Sequence, residues 1–285
     1  LSFQALAFFP FRLLLIATHL AESSINESVV IKPQQLSKDK NPMSLVAILG
    51  ATGTIGSVLA RRLVRQGQHV LLVGRNEEKL RALSEELGQP FAAVDMASSQ
   101  PLEEALRAIA DARGGFHALV NCIGSLLLKP AHATTDGEFR QVVETNLFTA
   151  FATVRAGAKL LRERGGGIVL FASAAAEIGI QNHEAIAAAK AGVIGLARSA
   201  ASTYAPYNIR VNVVSPGLIR TEMTRRIWEN ATSATASAQL HALGRLGEPE
   251  QVASLVSWLL DRENDWITGQ VIGVDGGLGH VLPRR

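Results

Sequence analysis

The sequence predicts an α/β fold: a doubly wound parallel sheet of about seven strands in a single domain over residues 43–285. Three observations carry this reading. Short apolar runs alternate with longer helical patterns from Leu45 onward, the runs are apolar throughout as strands covered on both faces require, and no repeat or Pro-rich linker divides the stretch. A chain of 285 residues with 47% apolar content can bury a core of that size.

The elements follow in order. "LVAIL" at 45–49 is the first strand and leads into a helix at 55–66; "HVLLV" precedes a helix at 76–87, and "FAAV" one at 101–112. "HALV" is followed by a long helical pattern over 137–162, "GIVLFAS" by a helix over 182–204, and "IRVNVVS" by a helix over 249–260, with "QVIGVDG" as the last strand. The stretch from 217 to about 245 has no strand and is expected to be irregular, the natural place for a substrate lid.

Charge and cysteine usage bound the partners. The net charge of +3 comes from scattered Lys and Arg, with only short groups such as "TRR" at 224–226 and the terminal "PRR", which argues against nucleic acid as the main partner. A single cysteine, Cys122, makes no intramolecular disulfide and suits a reducing compartment, so a cytoplasmic location is expected. No metal site is expected.

Residues 1–42 read differently. "LSFQALAFFPFRLLLIATHLAES" is interrupted by Pro10 and Arg12, short for a membrane span and broken for a signal-peptide core. The segment then turns polar, and "MSLVAILGATG" from Met43 looks like a start before a strand. Residues 1–42 are therefore expected as an extension that is disordered or non-native; a membrane-associating or export segment is the second reading, and a membrane partner is not favoured.

"AILGATGTIGSVLARRL" places Gly50, Gly53 and Gly56 between a strand and a helix start, the position of a Rossmann-type phosphate turn. Glycine permits the tight turn and lets backbone N–H groups and the helix N-terminus approach a pyrophosphate, with Thr52, Thr54 and Ile55 of the same turn as further cofactor contacts. A turn that needs glycine for geometry alone is the bland alternative. The second strand ends "LLVGRNEEKL", where an NAD site would carry an acid; Arg75, beside Asn76, suits the extra phosphate of NADP instead, although a solvated arginine would look the same. NADP is favoured over NAD.

From about Leu45 to Gly279 the motifs resemble, in order, those of the short-chain dehydrogenase/reductase family: "GATGTIG", "VDM", "NCIG", "ETNLF", "LFASAA", "KAGVIGLARSAA", "IRVNVVSPGLIRT" and "GRLGEPEQVASLVSWLL…ITGQVIGVDGG". The resemblance implies an NAD(P)-dependent oxidoreductase. It implies that Asp95 and Met96 lie near the adenine, that Asn121, Cys122, Ile123 and Gly124 line the cofactor, and that Pro216, Gly217, Ile219 and Thr221 hold its nicotinamide side. By the same resemblance Lys190 would hold the nicotinamide ribose hydroxyls, Ser173 would hydrogen-bond the substrate carbonyl, and Asn146 would hold a water on the proton path. It also implies a homodimer or homotetramer, paired through the helices at 137–162 and 182–204 and through "ITGQVIGVDGG".

Two positions depart from the family pattern. Thr54 stands where a glycine is often found, and "IAAAK" replaces the YxxxK motif, so Ile186 occupies the place of the tyrosine that transfers the proton. Ser173 lies thirteen positions before Ile186, Asn146 forty before, and Lys190 four after, which resembles family spacing and argues against a misalignment. His183 shares a helical stripe with Ile186 and Lys190, and histidine as a residue type can act as a general acid, but side chains on a helix lean towards its N-terminus, away from Lys190; a role in substrate contact or in capping the helix with Asn182 is the stronger expectation. Glu184 lies on another face.

The expected function is NADPH-linked reduction of a carbonyl or an activated carbon–carbon double bond in a small molecule, with an altered proton relay in which a water held by Ser173, Lys190 and Asn146 replaces the tyrosine. The alternative is a non-catalytic nucleotide-binding or scaffold protein that kept the fold.

Overall fold

The structure, a computed structural model, describes residues 30–32, 45–96 and 99–282. Its sheet has eight strands: β1 (Val30–Lys32), β2 (Leu45–Leu49), β3 (His69–Gly74), β4 (Phe91–Ala93), β5 (Phe116–Asn121), β6 (Gly166–Phe171), β7 (Ile209–Pro216) and β8 (Val271–Val274). The order is β1-β4-β3-β2-β5-β6-β7-β8, parallel from β4 to β8. The seven parallel strands are those expected from the apolar runs. The eighth was not expected: β1 runs antiparallel to β4, Val30 opposite Ala93, inside the stretch read as an extension. The rest of residues 1–42 lies outside the described residues.

Nine α-helices occur among the described residues: α1 (Thr54–Arg65), α2 (Glu77–Leu87), α3 (Ser99–Arg113), α4 (Asp136–Val143), α5 (Thr149–Leu160), α6 (Glu184–Tyr204), α7 (Arg225–Trp228), α8 (Ala231–Leu240) and α9 (Pro249–Leu260). Successive strand residues point to opposite faces, so each strand feeds two cores. Leu45, Ala47 and Leu49 of β2 meet Leu102 and Leu106 of α3, Ala152 and Ala156 of α5, and Val193 of α6. Val46 and Ile48 face the other way, towards Leu59 and Leu63 of α1, Leu80 of α2 and Val252 and Val256 of α9. Both faces are covered, which is why the strands carry no polar alternation. Among the described residues, no helix is long and apolar enough to cross a membrane.

Two expectations need correction. The helical pattern over 137–162 is not one helix: α4 and α5 are separated by a π turn, Glu144–Phe148. Polar side chains there compete for backbone groups, Asn146 Nδ2 donating to the Val142 carbonyl at 2.9 Å and Thr149 Oγ1 to the Thr145 carbonyl at 2.7 Å. The stretch from 217 to about 245 is not irregular either, since it holds α7 and α8. Asn230 caps α8 by accepting from Ser233 N, but none of the residues of α8 is buried, so its sequence shows no apolar stripe.

One buried side chain stands in for a strand at the start of β3. Gln89 is 6% exposed, its Oε1 accepts from Val70 N at 2.9 Å, and its own carbonyl accepts from Ser84 Oγ at 2.6 Å. Gln89→Leu leaves the Val70 N–H buried without a partner and is expected to lower the unfolding free energy by about 1–3 kcal/mol, read from denaturant midpoints; an unchanged midpoint would show that Val70 finds another acceptor.

Candidate active site

The strand order reverses between β2 and β5, and the crevice beyond their C-terminal ends lies between the loops that follow them. Gly50, at φ +78°, begins the first loop, where Gly53 N donates to the Gly50 carbonyl at 3.0 Å. A Cβ on Gly50 would lie 3.1 Å from the Cys122 and Ile123 backbone, and one on Gly56 would lie 2.3 Å from the Gly50 carbonyl oxygen. The turn therefore uses glycine for close backbone approach at both ends. Helix α1 starts after Gly53 with no side-chain cap, leaving first-turn N–H groups for a ligand's oxygens. This cradle fits a dinucleotide pyrophosphate. Thr52 and Ile55, half-buried, belong to the same turn. Thr54 makes a tie of its own: its Oγ1 accepts from Glu222 N at 3.1 Å, linking the turn to the chain after β7.

Along the crevice, Arg75 is exposed immediately after β3, while the Asn76 side chain caps α2 by accepting from Lys79 N at 2.8 Å. Asp95 is exposed and Met96 buried after β4. At the end of β5, Asn121 is 2% exposed, with its Oδ1 accepting from Ile123 N at 2.9 Å and its Nδ2 donating to Thr149 Oγ1 at 3.3 Å. Burial pushes the neighbouring Cys122 thiol up to about 12, so it stays protonated and is no nucleophile at neutral pH.

Behind the loop after β5 stands the polar frame. Asn146, in the π turn and 1% exposed, accepts from Ser125 N at 3.2 Å and donates to Ser125 Oγ and the Val142 carbonyl, both at 2.9 Å. Lys190 is 7% exposed and donates from Nζ to the Phe171 carbonyl at 2.9 Å. The two side chains converge on Gly124, where a Cβ would lie 3.1 Å from Asn146 Oδ1 and 3.6 Å from Lys190 Nζ. Ser173, two residues beyond Phe171, accepts from Ala175 N at 3.2 Å through Oγ, which leaves its hydroxyl proton free to donate. Asn146, Lys190 and the loop carrying Ser173 are thus brought to one end of the sheet.

His183 is not joined to that frame. It occupies the cap position of α6 without capping it, and its Nδ1 faces the Gln181 carbonyl at 2.7 Å, so Nδ1 carries the proton. Asn182, in the left-handed conformation at φ 62°, makes no cap either. Ile186 is 3% exposed and packs with Val142, Ala185, Ala189 and Leu127, a small apolar cluster beside the frame.

The chain after β7 is held from several sides. Gly217 N donates to the Val274 carbonyl, and Ile219 is buried beside Gly247. The Thr221 hydroxyl faces Thr224 Oγ1 at 3.1 Å, and the Thr221 carbonyl accepts from Trp228 Nε1 at 2.8 Å. His241, 3% exposed, accepts from Leu218 N at 3.1 Å through Nε2 and faces the Ser237 carbonyl at 2.7 Å through Nδ1, which fixes it as the Nδ1–H tautomer. Sequence reasoning missed Ser125, His241 and the Phe171 carbonyl. Ser125 has one available signal, its place directly after the "NCIG" stretch.

Burial alone lowers Lys190 from 10.5 to about 8. Below pH 8 the folded chain holds a charge it disfavours, at a cost of roughly 3 kcal/mol; between 8 and 10.5 the folded lysine is neutral while the unfolded one is charged, so stability rises with pH across that window. Lys190→Met removes the penalty and also the bond to Phe171. It is expected to raise the unfolding free energy at pH 7 by about 1–3 kcal/mol, with a smaller gain at pH 9.5; a gain that is equal at both pH values would contradict the burial account.

The comparisons with known proteins fall on the same residues. The family model described as Enoyl-(Acyl carrier protein) reductase matches residues 50–279. The chain is 34% identical over 234 residues to the 3-oxoacyl-[acyl-carrier-protein] reductase FabG of Vibrio cholerae, covering 81% of this chain and 95% of that protein. It is also 34% identical to carbonyl reductase family member 4 of Xenopus laevis over 238 residues, 81% of this chain and 96% of that one. A short-chain type dehydrogenase/reductase from Mycobacterium ulcerans superposes with a TM-score of 0.80 at 30% identity, covering 84% and 91% of the two chains. ElxO with NADP bound superposes at 0.78 and 26% identity, covering 83% and 98%. With its glycine turn, its crevice at the strand-order reversal and its buried Asn–Lys frame, the chain belongs to the short-chain dehydrogenase/reductase family of NAD(P)-dependent oxidoreductases.

Proposed function

We propose that the chain is an NADPH-linked reductase of a carbonyl or an activated carbon–carbon double bond, working without a phenolic acid at position 186. The observation that carries this reading is the convergence of Lys190 Nζ and Asn146 Oδ1 on Gly124, at the end of the crevice that the glycine turn opens. A polar frame buried at this cost is what a catalytic site keeps and a purely structural fold loses. The names of the Vibrio and Xenopus relatives, both reductases, and the NADP held by ElxO support the same class.

A reduced nicotinamide, when bound, supplies the hydride. The chain does the rest. The Gly50–Gly56 turn and the first N–H groups of α1 receive the pyrophosphate, and Arg75, exposed after β3, would bind the ribose phosphate that distinguishes NADPH from NADH. Asp95 and Met96 lie near the adenine, the 121–124 segment lines the cofactor, and the Pro216, Gly217, Ile219 and Thr221 segment lines the nicotinamide side. Lys190 holds the ribose hydroxyls, and Ser173 donates its hydroxyl proton to the substrate oxygen. The enzyme works as a homodimer or homotetramer in the cytoplasm. A second reading, a nucleotide-binding scaffold, is favoured by one observation, the sealing of Ile186 among Val142, Ala185 and Ala189 where an acid would stand.

Calorimetry on the full chain is expected to give tighter binding of NADPH than of NADH, with Arg75→Glu reversing the preference through a loss of about 10–100-fold in NADPH affinity. Equal affinities for the two cofactors would remove Arg75 from this role. Against a panel of carbonyls and enones, Ile186→Tyr is expected to raise kcat by about 10²–10⁴-fold where the native chain already turns over slowly. Tight NADPH binding with no turnover by the native chain across the panel would favour the scaffold.

A further inference from the structure

The segment after β7 is tied down mostly by backbone. Gly217 N donates to the Val274 carbonyl at 3.1 Å, Arg220 N to the Gly247 carbonyl at 2.9 Å, and Gly247 N to the Leu218 carbonyl at 3.0 Å. A peptide carbonyl does not titrate, so these bonds hold at any pH the fold survives. At the far end Glu222 N reaches Thr54 Oγ1, which brings the segment onto the phosphate turn itself. Leu218 N is different. Its acceptor is a ring nitrogen, Nε2 of His241, at 3.1 Å.

That ring is built into the interior. His241 is 3% exposed, and its Nδ1–H donates to the Ser237 carbonyl at 2.7 Å. A Cβ on Gly217 would lie 2.6 Å from Nε2, so the ring fills the room that a side chain at 217 would need. His241 also ends α8, none of whose residues is buried, and anchors that helix beside the segment. With Nδ1 already carrying a proton, a second one goes to Nε2. There it turns an acceptor into a donor aimed at the Leu218 N–H, and two donors cannot pair. Resting on the reading of residues 216–221 as the nicotinamide side, we propose that His241 is a positioning residue for the cofactor. Neutral, it holds Leu218 and the segment in place for the nicotinamide; doubly protonated, it releases them.

The charged groups on the surrounding elements are engaged elsewhere. Arg220 pairs with Glu248 at 3.3 Å and Glu222 with Arg225. Arg245 donates to the Leu246 carbonyl and to Gln251 Oε1. The Asp275 carboxylate accepts from Gly277 N and Gly279 N, His280 faces Glu177, and Glu250 at the start of α9 is exposed. The ring's own two hydrogen bonds therefore decide what a second proton does. Linkage then requires the converse: a cofactor that binds best to the neutral ring must oppose its protonation.

The test uses the full chain and oxidised NADP, which survives acid as NADPH does not. The His241 ring signal, assigned by its loss in His241→Gln, is titrated by NMR with and without saturating NADP. Affinity for NADP is measured by calorimetry over the same pH range. The ribose phosphate of NADP also changes charge in acid, so the native chain is read against His241→Gln, whose amide oxygen accepts from Leu218 N at every pH. The proposal expects the His241 midpoint to lie lower with NADP bound than without it. It expects the native affinity to fall about tenfold further than that of His241→Gln as the ring gains its second proton. It also expects His241→Leu to bind NADP about tenfold more weakly than His241→Gln throughout. A midpoint that NADP leaves unmoved, or a native affinity that tracks His241→Gln across the range, overturns the proposal and leaves the reductase reading standing. Binding of neither NADP nor NADPH at any pH removes both.

Discussion

The molecule is organised around one close approach of backbone to backbone, Gly50 against the Cys122–Ile123 peptide, with Gly56 seated on the Gly50 carbonyl. The strand order reverses at this place, so two loops leave the sheet in diverging directions and a crevice opens between them. A side chain at Gly50 would press on the second loop, and one at Gly56 would push α1 off the strand that precedes it. Core packing on both sides of the sheet is what holds the two loops to that distance. The core is therefore the means by which the crevice keeps its width.

The frame behind the crevice works against stability. Lys190 is an ammonium in apolar surroundings, and Asn146 draws a backbone carbonyl out of regular helix pairing. Neither arrangement improves packing, yet each has a hydrogen-bonded neighbour, Phe171 for the lysine and Ser125 for the asparagine. Position 186 works the other way. Its isoleucine is part of a small core that ties α4 to α6, so the residue contributes cohesion beside the frame. Thr54 is similar, since its hydroxyl reaches across to Glu222 and binds the phosphate turn to the segment before α7.

Much of this was legible in the sequence because it depends on local pattern. The seven parallel strands are continuous apolar runs, and the helices that cover them carry the matching stripes. Asn146, Ser173 and Lys190 were recognisable through the resemblance of their motifs and spacing to a known family, and they lie at one end of the sheet. What was hidden has no local signature. Helix α8 buries nothing, so no stripe marks it. The partner of Lys190 is a backbone carbonyl, which every residue possesses. His241 supports the segment after Pro216 through a single ring whose surroundings come from distant parts of the chain. Strand β1 is three residues long, too short for a periodicity to show.

The π turn between α4 and α5 has a consequence for how this chain tolerates changes in length. Each residue of an α-helix advances the chain by about 100°, whereas a π turn takes in about one residue more over the same rotation, so the extra residue is absorbed and α5 keeps nearly the phase it would have without it. Removing one residue between Glu144 and Phe148 would let the helix run on regularly with Ala152 and Ala156 still turned to the core. What would be lost is the wide turn itself, in which Asn146 Nδ2 reaches both the Val142 carbonyl and Ser125 Oγ. The core would therefore tolerate a shortening here that the contacts of Asn146 would not.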